Sequence, residues 1–329
     1  MSWKDKNVLV TGSEGFIGSH LVEALVALGA RVTALVKNNF QHNLGFIDEF
    51  KPEIAAKIKI RFADLNDCEA VKEAVSGNTI VFNLAAEISI PYSYANPRTF
   101  LHTNVIGTFN ILSACREAKI ERFIQMSTSE VYGTPDKTPI KEDQMLKGQS
   151  PYSASKIAAE KLVESFYCSY NLPAVIVRAF NTYGPRQSAR AIIPAVITQA
   201  LFKNKVFIGN TKPTRDFNFV TDTVDGLIKV AECSKLIGDV VNIGTGKEVS
   251  IGELIKKIIL LTGSNAKPVQ ETKRFRPSQS EVMRVCADNA KVKKYTNWRP
   301  LVDLDRGLEK TIRWIKDNPK HFKIGEYEI

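Results

Sequence analysis

A glycine-rich segment near the N-terminus limits the possible folds of this chain more than any other feature. The apolar run Asn7–Thr11 leads into T-G-S-E-G-F-I-G-S-H, with Gly12, Gly15 and Gly18 three residues apart, and an apolar helix-like segment follows. Glycine lets a backbone turn tightly and approach a pyrophosphate, and the next helix offers N–H groups and a positive dipole. A tight turn without a ligand is the alternative. Because a strand, a helix and a second strand surround the turn, the segment predicts a dinucleotide-binding βαβ unit.

Apolar runs alternate with segments of helical period through the first 180 residues, which indicates a parallel sheet with crossover helices. The predicted strands are Asn7–Thr11, Arg31–Val36, Ile58–Phe62, Thr79–Asn83, Arg122–Met126 and Ala174–Arg178. The predicted helices are Phe16–Leu28, Asp67–Val75, Arg98–Ala118, Tyr152–Tyr170, Ile192–Lys203, Val224–Cys233, Ile251–Leu261 and Leu304–Lys316.

We therefore predict an α/β fold, a Rossmann-type parallel sheet flanked by helices with a smaller C-terminal α/β substrate-binding domain. Residues 1–180 would form the dinucleotide-binding domain and residues 181–329 the second domain. Part of 215–245 is expected to return to the main sheet, since Asp216–Val220 and Val240–Ile243 are strand-like.

Several functional classes are disfavoured by composition. No apolar run reaches the roughly 20 residues that span a bilayer, and Met-Ser-Trp-Lys-Asp-Lys enters the first strand without a signal-peptide pattern, so we predict a cytoplasmic protein without membrane contact. The five cysteines are odd in number and far apart, and the four histidines show no ligand spacing. We expect no disulfide framework and no metal.

The net charge of +10 is confined to the second part of the chain. Residues 1–180 hold 19 of the 45 basic and 19 of the 35 acidic residues, which leaves 26 basic and 16 acidic in residues 181–329. Basic patches attract phosphates. The lysines are scattered and no nucleic-acid-binding motif accompanies them, so we expect no nucleic-acid partner. The excess of basic residues then indicates either a solvated surface or a site for a small anionic substrate.

The second strand lacks the acidic residue that takes the ribose hydroxyls in NAD-binding units of this kind. Its end reads A-L-V-K-N-N, with Val36 at the expected carboxylate position and Lys37 next. A cation there suits a 2′-phosphate, and a solvated loop lysine is the equal alternative. NAD and NADP both stay open as cofactors.

Tyr152 and Lys156 lie four residues apart in S-P-Y-S-A-S-K, so a helix places both side chains on one face. Tyrosine has a pKa of about 10 and acts as a base near neutral pH where a nearby cation favours the phenolate. We interpret Lys156 as that cation. The row Ser127-Thr128-Ser129 follows a predicted strand upstream.

This order of glycine turn, hydroxyl row, tyrosine and lysine resembles the extended branch of the short-chain dehydrogenase/reductases, whose turn reads T-G-x-x-G-x-x-G. The resemblance covers nearly the whole chain and implies a tightly held, recycled NAD or NADP. The implied cofactor-binding residues are Gly12, Gly15, Phe16, Ile17, Gly18, Lys37, Asp64, Leu65, Leu84, Ala85, Ala86, Asn104, Tyr152 and Lys156. The implied ligands of a nucleotide diphosphate-sugar are Asn181, Arg190, Arg215 and Arg276.

A carboxylate, Glu130, directly follows the hydroxyl row. The run S-T-S-E-V-Y-G resembles S-T-D-E-V-Y-G of dTDP-glucose 4,6-dehydratases and S-T-S-E of GDP-mannose 4,6-dehydratases. The resemblance implies that Tyr152 removes the C4 hydroxyl proton, Thr128 polarises the C4 oxygen, and Glu130 removes the C5 proton that the ketone makes acidic. Ser129 replaces an aspartate, so the C6 hydroxyl is protonated by Ser129, a water or Glu130 itself.

Longer runs narrow the substrate that the resemblance implies. F-N-T-Y-G-P-R-Q-S-A-R, T-K-P-T-R-D-F-N-F and R-F-R-P-S-Q-S-E-V are similar to 4,6-dehydratases of the legionaminic-acid pathway, which implies GDP-N-acetylglucosamine. UDP-glucuronate decarboxylases also carry S-T-S-E, and 4-epimerases need the hydroxyl, tyrosine and lysine alone, so both are alternatives. A non-catalytic NAD(P)-sensing protein is a third. The family resemblance also implies a homodimer through a four-helix bundle, with Ala154, Ala158 and Ala159 allowing close packing.

Overall fold

The apolar runs of the first half of the chain form the strands of one parallel sheet. The structure is a computed structural model and describes residues 2–39 and 41–323. Numbered along the chain, the strands are β1 Asn7–Thr11, β2 Arg31–Val36, β3 Ile58–Phe62, β4 Ile80–Asn83, β5 Arg122–Thr128, β6 Ala174–Ala179, β7 Asn181–Tyr183, β8 Lys205–Ile208, β9 Thr214–Arg215, β10 Phe217–Phe219, β11 Val240–Ile243, β12 Val249–Ser250, β13 Lys267–Gln270 and β14 Arg284–Val285. Within these residues the main sheet has seven strands in the order β3-β2-β1-β4-β5-β6-β11.

All pairings in the main sheet are parallel, which confirms the predicted Rossmann-type sheet. The described helices are α1 Phe16–Ala27, α2 Pro52–Ala55, α3 Cys68–Val75, α4 Ile90–Ala95, α5 Pro97–Phe100, α6 Gly107–Ala118, α7 Pro151–Tyr170, α8 Ile192–Phe202, α9 Val220–Glu232, α10 Ile251–Thr262, α11 Ala290–Thr296 and α12 Leu304–Asp317. Val8 and Val10 of β1 face one core with residues of α1 and α9, whereas Leu9 faces the opposite core with α3, α6 and α7. Successive strand residues point to opposite faces, so both faces of the sheet are buried by helices.

The predicted helix Arg98–Ala118 is wrong in its interior. The structure has α5, then a π-helix at Leu101–Ile106, and then α6. A π-helix adds one residue to a turn, and apolar periodicity alone does not show where that residue is inserted. The π-helix contains Asn104, whose contacts are described with the site below.

The second part of the chain has its own apolar core around α8, α10 and α12. Small sheets pair β10 with β7, β13 with β8, and β9 with both β12 and β14. Of the two segments expected to return to the main sheet, Val240–Ile243 pairs with β6, while Phe217–Phe219 pairs with β7 in a separate sheet. The division into residues 1–180 and 181–329 stays a prediction.

A buried ion pair joins β6, near the carboxyl end of this strand, to α7. Glu160 Oε2 lies 2.7 Å from Arg178 Nη2 on β6, with the two side chains 2% and 5% exposed. Ser127 Oγ at the end of β5 donates a hydrogen bond to Glu160 Oε1, and Arg178 Nη1 donates to the Tyr132 hydroxyl at 2.9 Å. One carboxylate on α7 therefore fixes the ends of two neighbouring strands.

We predict that Glu160→Ala destabilises the protein by about 3–5 kcal/mol, because it leaves the Arg178 guanidinium buried without its counter-ion. The free energy of unfolding in urea measures the effect. Glu164→Ala is the matched control on the same helix, since its pair with Lys161 is more than half exposed and should contribute less than about 1 kcal/mol. Equal losses in the two variants would contradict the role of the buried pair.

Candidate active site

Hydrogen bonds link three strands at the carboxyl edge of the main sheet. Thr11 Oγ1 donates to Asn83 Oδ1 at 2.8 Å, and Asn83 Nδ2 donates to Gln125 Oε1 at 2.9 Å. Thr11 Oγ1 also accepts the backbone N–H groups of Leu84 and Ala85, both at 3.0 Å. Ligands of open parallel sheets bind at this edge, next to the point where the strand order reverses. In this sheet that point lies between β1 and β4.

Two glycines of the first turn stand where a side chain has no room. Gly12 has φ +64°, and a Cβ on it would lie 2.9 Å from the backbone of Ala85. A Cβ on Gly18 would lie 2.0 Å from the carbonyl oxygen of Gly12. The turn therefore closes tightly against both the first turn of α1 and the loop after β4.

The first turn of α1 is free to bind an anion. Gly15 is the N-cap, and no described side chain caps the helix. Phe16, Ile17 and Gly18 follow without an acidic residue, so their N–H groups have the free donors typical of a helix N-terminus. The bare glycine cradle and uncapped amides fit the pyrophosphate of a dinucleotide.

Three other residues predicted to bind the cofactor lie near the same edge. Asp64 is exposed, and its Oδ1 accepts from Asn66 at 2.9 Å, so it forms the turn before α3. Leu65 is buried, and its carbonyl accepts from Asn110 at 2.8 Å. Ala86 is half-buried in the loop after β4. These positions border the sheet edge, and their contacts with a cofactor stay predictions.

Asn104 uses its side chain on protein groups. Its Oδ1 accepts from the backbone N–H of Glu87 at 2.8 Å, while Nδ2 donates to the Glu87 carbonyl at 3.0 Å and to Ser155 Oγ at 2.9 Å. Asn104 is 2% exposed. It therefore holds the loop after β4 to α7, which makes it a positioning residue in this structure.

The three consecutive hydroxyls at the end of β5 have different surroundings. Ser127 faces Glu160 behind the strand, and Ser129 is buried at the start of a 3₁₀ turn, Ser129–Tyr132. Thr128 Oγ1 accepts the Glu130 N–H at 3.2 Å and makes a hydrogen bond with the Tyr152 hydroxyl. Thr128 is thus the hydroxyl that meets the tyrosine.

The pKa of Tyr152 is raised by burial, and the charge of Glu130 raises it further, while the hydrogen bond with Thr128 lowers it. Lys156 is not among the causes of this shift, so its predicted role as the cation that favours the phenolate stays a prediction. Lys156 Nζ donates to the carbonyl of Met126 at 2.8 Å. Burial lowers the pKa of Lys156 to about 8, and Glu160 partly opposes this shift. Desolvation disfavours the charged forms of both side chains.

Charged groups from distant segments gather around Glu130. Arg276 Nη1 lies 3.7 Å from Glu130 Oε2, and no described group forms a hydrogen bond with this nitrogen. Arg215 is 6% exposed, and its Nη1 donates to the carbonyls of Thr214 and Val282. Burial lowers the pKa of Arg215, with an opposing contribution from Glu130. Arg215 Nη2 also lies 3.5 Å from Glu281 Oε1, so two guanidinium groups and two carboxylates, Glu130 and Glu281, lie near one another here.

The remaining predicted substrate residues differ in burial. Asn181 begins β7, and its Oδ1 is buried without a hydrogen-bond partner among residues 2–39 and 41–323. Arg190 is exposed, and its one hydrogen bond to another described residue runs from its backbone N–H to Ser188 Oγ at 3.3 Å. The structure thus gives Arg190 no contact with Glu130 or the two arginines near it.

With this geometry established, residues 9–311 match the family model described as GDP-mannose 4,6 dehydratase. The chain belongs to this family. It is 33% identical to the human dTDP-D-glucose 4,6-dehydratase over 328 residues, which cover 97% of this chain and 92% of the human protein. It is also 33% identical to a UDP-N-acetyl-alpha-D-glucosaminuronate decarboxylase of Bacillus cytotoxicus, covering 95% of this chain and 98% of that protein.

A solved structure of the same kind is a mutant UDP-glucuronic acid 4-epimerase from Bacillus cereus in complex with a fluorinated UDP-glucuronic acid and NAD. The two folds superpose with a TM-score of 0.87 at 28% identity, covering 94% of this chain and 99% of that chain. Dehydratases, decarboxylases and epimerases of nucleotide sugars are all similar to this member of the family. Family membership is therefore compatible with all three reactions, and the residues of the site must distinguish among them.

Sequence reasoning missed Glu160 of this family member's site, the third side chain of a row along α7 in which Tyr152 and Lys156 were predicted. Tyr152, Lys156 and Glu160 are spaced four residues apart, and they contact in turn Thr128, the Met126 carbonyl and Ser127 of β5. The signal was present in the sequence, since residues four apart share a helix face.

Among the described residues no cluster of side chains suits a metal ion, and no helix is long and apolar enough to cross a bilayer.

We predict that Gly18→Ala weakens NAD+ binding by at least about tenfold, equivalent to about 1.4 kcal/mol. The new Cβ would displace the Gly12 carbonyl and open the turn. Isothermal titration calorimetry measures the affinity. Gly252→Ala on α10 is the matched control, because its Cβ would lie 3.5 Å from the nearest atom. Unchanged NAD+ affinity in Gly18→Ala would exclude this turn as the dinucleotide site.

Proposed function

We propose that this protein is an NAD-dependent nucleotide-sugar 4,6-dehydratase, converting an NDP-N-acetylglucosamine, with GDP favoured, to its 4-keto-6-deoxy sugar. The observation that carries the proposal is the carboxylate of Glu130 beside the Thr128–Tyr152 pair at the end of β5. Oxidation at C4 requires a hydroxyl, a tyrosine and a lysine. A carboxylate in the same place adds a base for the neighbouring carbon.

The first step is removal of the C4 hydroxyl proton by Tyr152 while Thr128 orients the C4 oxygen. A bound nicotinamide, when oxidised, supplies a hydride acceptor and a positive charge. Burial raises the pKa of Tyr152, so proton removal requires positive charge near the phenol. Lys156, one helical turn away, is the cation that this chain provides.

The second step is removal of the C5 proton by Glu130. Once C4 is a ketone, the C5–H bond is acidic because the carbanion delocalises into the carbonyl. Loss of water from C6 then gives the unsaturated ketone, and returning the hydride to C6 and a proton to C5 completes the dehydration. Ser129, a water or Glu130 are the alternative acids for the C6 hydroxyl.

The second part of the chain supplies the substrate contacts in this proposal. Arg215 and Arg276 are suited to a diphosphate, because a planar guanidinium meets phosphate oxygens through two parallel hydrogen bonds. Buried polar atoms normally form hydrogen bonds, and neither Asn181 Oδ1 nor Arg276 Nη1 has a hydrogen-bond partner among the described residues. A phosphate and a sugar hydroxyl would satisfy both. The choice of GDP-N-acetylglucosamine rests on the resemblance to legionaminic-acid 4,6-dehydratases.

Two other reactions are alternatives, because relatives of this chain include a 4-epimerase and a decarboxylase. Glu130 favours dehydration over epimerisation, since epimerisation involves no C5 proton. Decarboxylation needs a substrate carboxylate at C6, so the substrate decides between these two. A non-catalytic sensor would have no use for Glu130 next to Tyr152.

We expect product masses to identify the reaction. Incubation with GDP- and UDP-N-acetylglucosamine should give a product lighter by about 18 Da, whereas UDP-glucuronate would lose about 44 Da on decarboxylation. In heavy water the dehydration product should carry deuterium at C5. Glu130→Gln should lower dehydration at least about 100-fold, because it removes the base, while reduced cofactor still accumulates.

Glu121→Gln is the control for this substitution. Glu121 directly precedes β5, and its ion pair with Lys6 is at the opposite end of the strand. Dehydration at the normal rate in Glu130→Gln, or a product without deuterium, would remove Glu130 from the proposed role.

We further propose a homodimer through the face formed by the π-helix, α6 and α7. Leu101, Ile106, Phe109 and Tyr170 on these helices are 55%, 47%, 46% and 51% exposed. Ala154 is also exposed, whereas Ala159 is buried within the chain. Apolar side chains on adjacent helices suit a four-helix bundle with a second copy.

We predict that Leu101→Lys shifts this protein from dimer to monomer, because it places a charge in the proposed interface. Size-exclusion chromatography with light scattering measures the mass. Leu260→Lys on α10 is the control, since Leu260 is 80% exposed and lies outside this face. A dimer that survives Leu101→Lys would place the interface elsewhere.

A further inference from the structure

The glycine turn places a carboxylate at the end of the second strand, where the strand's own sequence has no acidic residue. β2 ends at Val36, and Lys37 follows. Glu14 of the glycine turn reaches this strand end, where its Oε1 accepts the backbone N–H of Lys37 at 2.9 Å. The acid therefore comes from the turn after β1 and stands beside the end of β2.

Backbone contacts hold Glu14 in this position. Its carbonyl accepts the N–H of Phe46 at 3.1 Å, and a Cβ on Gly45, which has φ +58°, would lie 2.6 Å from the same oxygen. Its Oε2 is buried and has no hydrogen-bond donor in the described part of the chain. A carboxylate oxygen shielded from water without a donor is energetically unfavourable, so this oxygen lacks a partner that a ligand can supply.

Glu14 also lines a surface cavity of about 410 Å³ together with Lys37, Asn38, Asn39 and Asn43. This volume lies within the range of about 300–1,000 Å³ usual for small-molecule sites. Two hydrogen bonds join residues of its lining, since Asn39 Nδ2 donates to the Asn43 carbonyl and Asn39 Oδ1 accepts the Asn43 N–H, both at 2.9 Å. An open cavity therefore lies next to the glycine turn, with Glu14 in its lining.

The cation at this edge has another partner. Lys37 Nζ lies 3.6 Å from Glu87 Oε1 in the loop after β4, and the lysine side chain is 62% exposed. Lys37 contacts Glu14 through its backbone N–H. The carboxylate of Glu14 is held more firmly at the pocket than the ammonium of Lys37.

We propose that Glu14 accepts hydrogen bonds from the adenosine ribose hydroxyls of the dinucleotide and so selects NAD over NADP. An ionised carboxylate is an acceptor only, and two neighbouring hydroxyls are the donors it lacks. A 2′-phosphate removes one donor and brings a second negative charge to the same place. The inference rests on the proposed use of a nicotinamide dinucleotide and is independent of the sugar chemistry.

Dinucleotide affinities test the proposal. Copurifying dinucleotide is identified by mass spectrometry and removed, and dissociation constants of the full chain for NAD+, NADP+ and NAD+ lacking the adenosine 2′-hydroxyl are measured by calorimetry. The wild-type protein should bind NAD+ at least about tenfold more tightly than either of the others. Glu14→Gln should bind NAD+ about tenfold more weakly and should no longer distinguish NAD+ from the 2′-deoxy ligand.

The 2′-deoxy ligand tests the contact even if Glu14→Gln unfolds, because it requires only the wild-type protein. Glu53→Gln on α2 is the control for the substitution, and thermal unfolding checks the fold. Wild-type binding of NADP+ as tight as that of NAD+, or an NADP+ affinity that falls in Lys37→Gln, would overturn the proposal in favour of Lys37. If the wild-type protein binds no dinucleotide, the proposed function itself fails.

Discussion

The site depends on how α7 is fixed against the end of β5. The buried carboxylate of Glu160 joins Ser127 of β5 to Arg178 of β6, so sliding of α7 along the sheet would separate a buried charge from its partner. A separation of this kind is strongly unfavourable in a buried environment. Since Tyr152 is two helical turns from Glu160 on the same face, the ion pair also sets the position of the phenol relative to Thr128.

The same burial determines the electrostatic state of the site. Burial raises the pKa of Tyr152 and lowers that of Lys156 to about 8, so near neutral pH the phenol is uncharged while the lysine keeps most of its positive charge. A short distance away, Arg215 and Arg276 carry two positive charges beside the carboxylates of Glu130 and Glu281. In the proposed function a diphosphate binds these guanidinium groups and supplies an acceptor for Arg276 Nη1, which has no hydrogen-bond partner among the described residues.

The sequence determined the strands well because buried β-branched runs bounded by turn residues have few alternatives, as Asn7–Thr11 and Arg31–Val36 show. It did not locate the π-helix at Leu101–Ile106, because a single inserted residue leaves the apolar pattern nearly unchanged. Glu14 was overlooked for a different reason. Sequence distance hides the approach of the turn after β1 to the end of β2, which arises from the parallel pairing of these strands.

In the proposed reaction one base removes the proton of the C4 hydroxyl and a second base removes the proton of C5. Because these two protons are close together in one sugar, the two bases must also lie close together. Thr128 Oγ1 is hydrogen-bonded both to the Tyr152 hydroxyl and to the backbone N–H of Glu130. Thr128, which orients the C4 oxygen, thereby connects Tyr152, the base for the C4 hydroxyl, with Glu130, the base for C5. The 3₁₀ turn Ser129–Tyr132 starts directly after the strand, and this turn keeps Glu130 close to Thr128, two residues before it. A base from a separate loop would move independently of the tyrosine, whereas this arrangement keeps both bases in a fixed relation to one substrate.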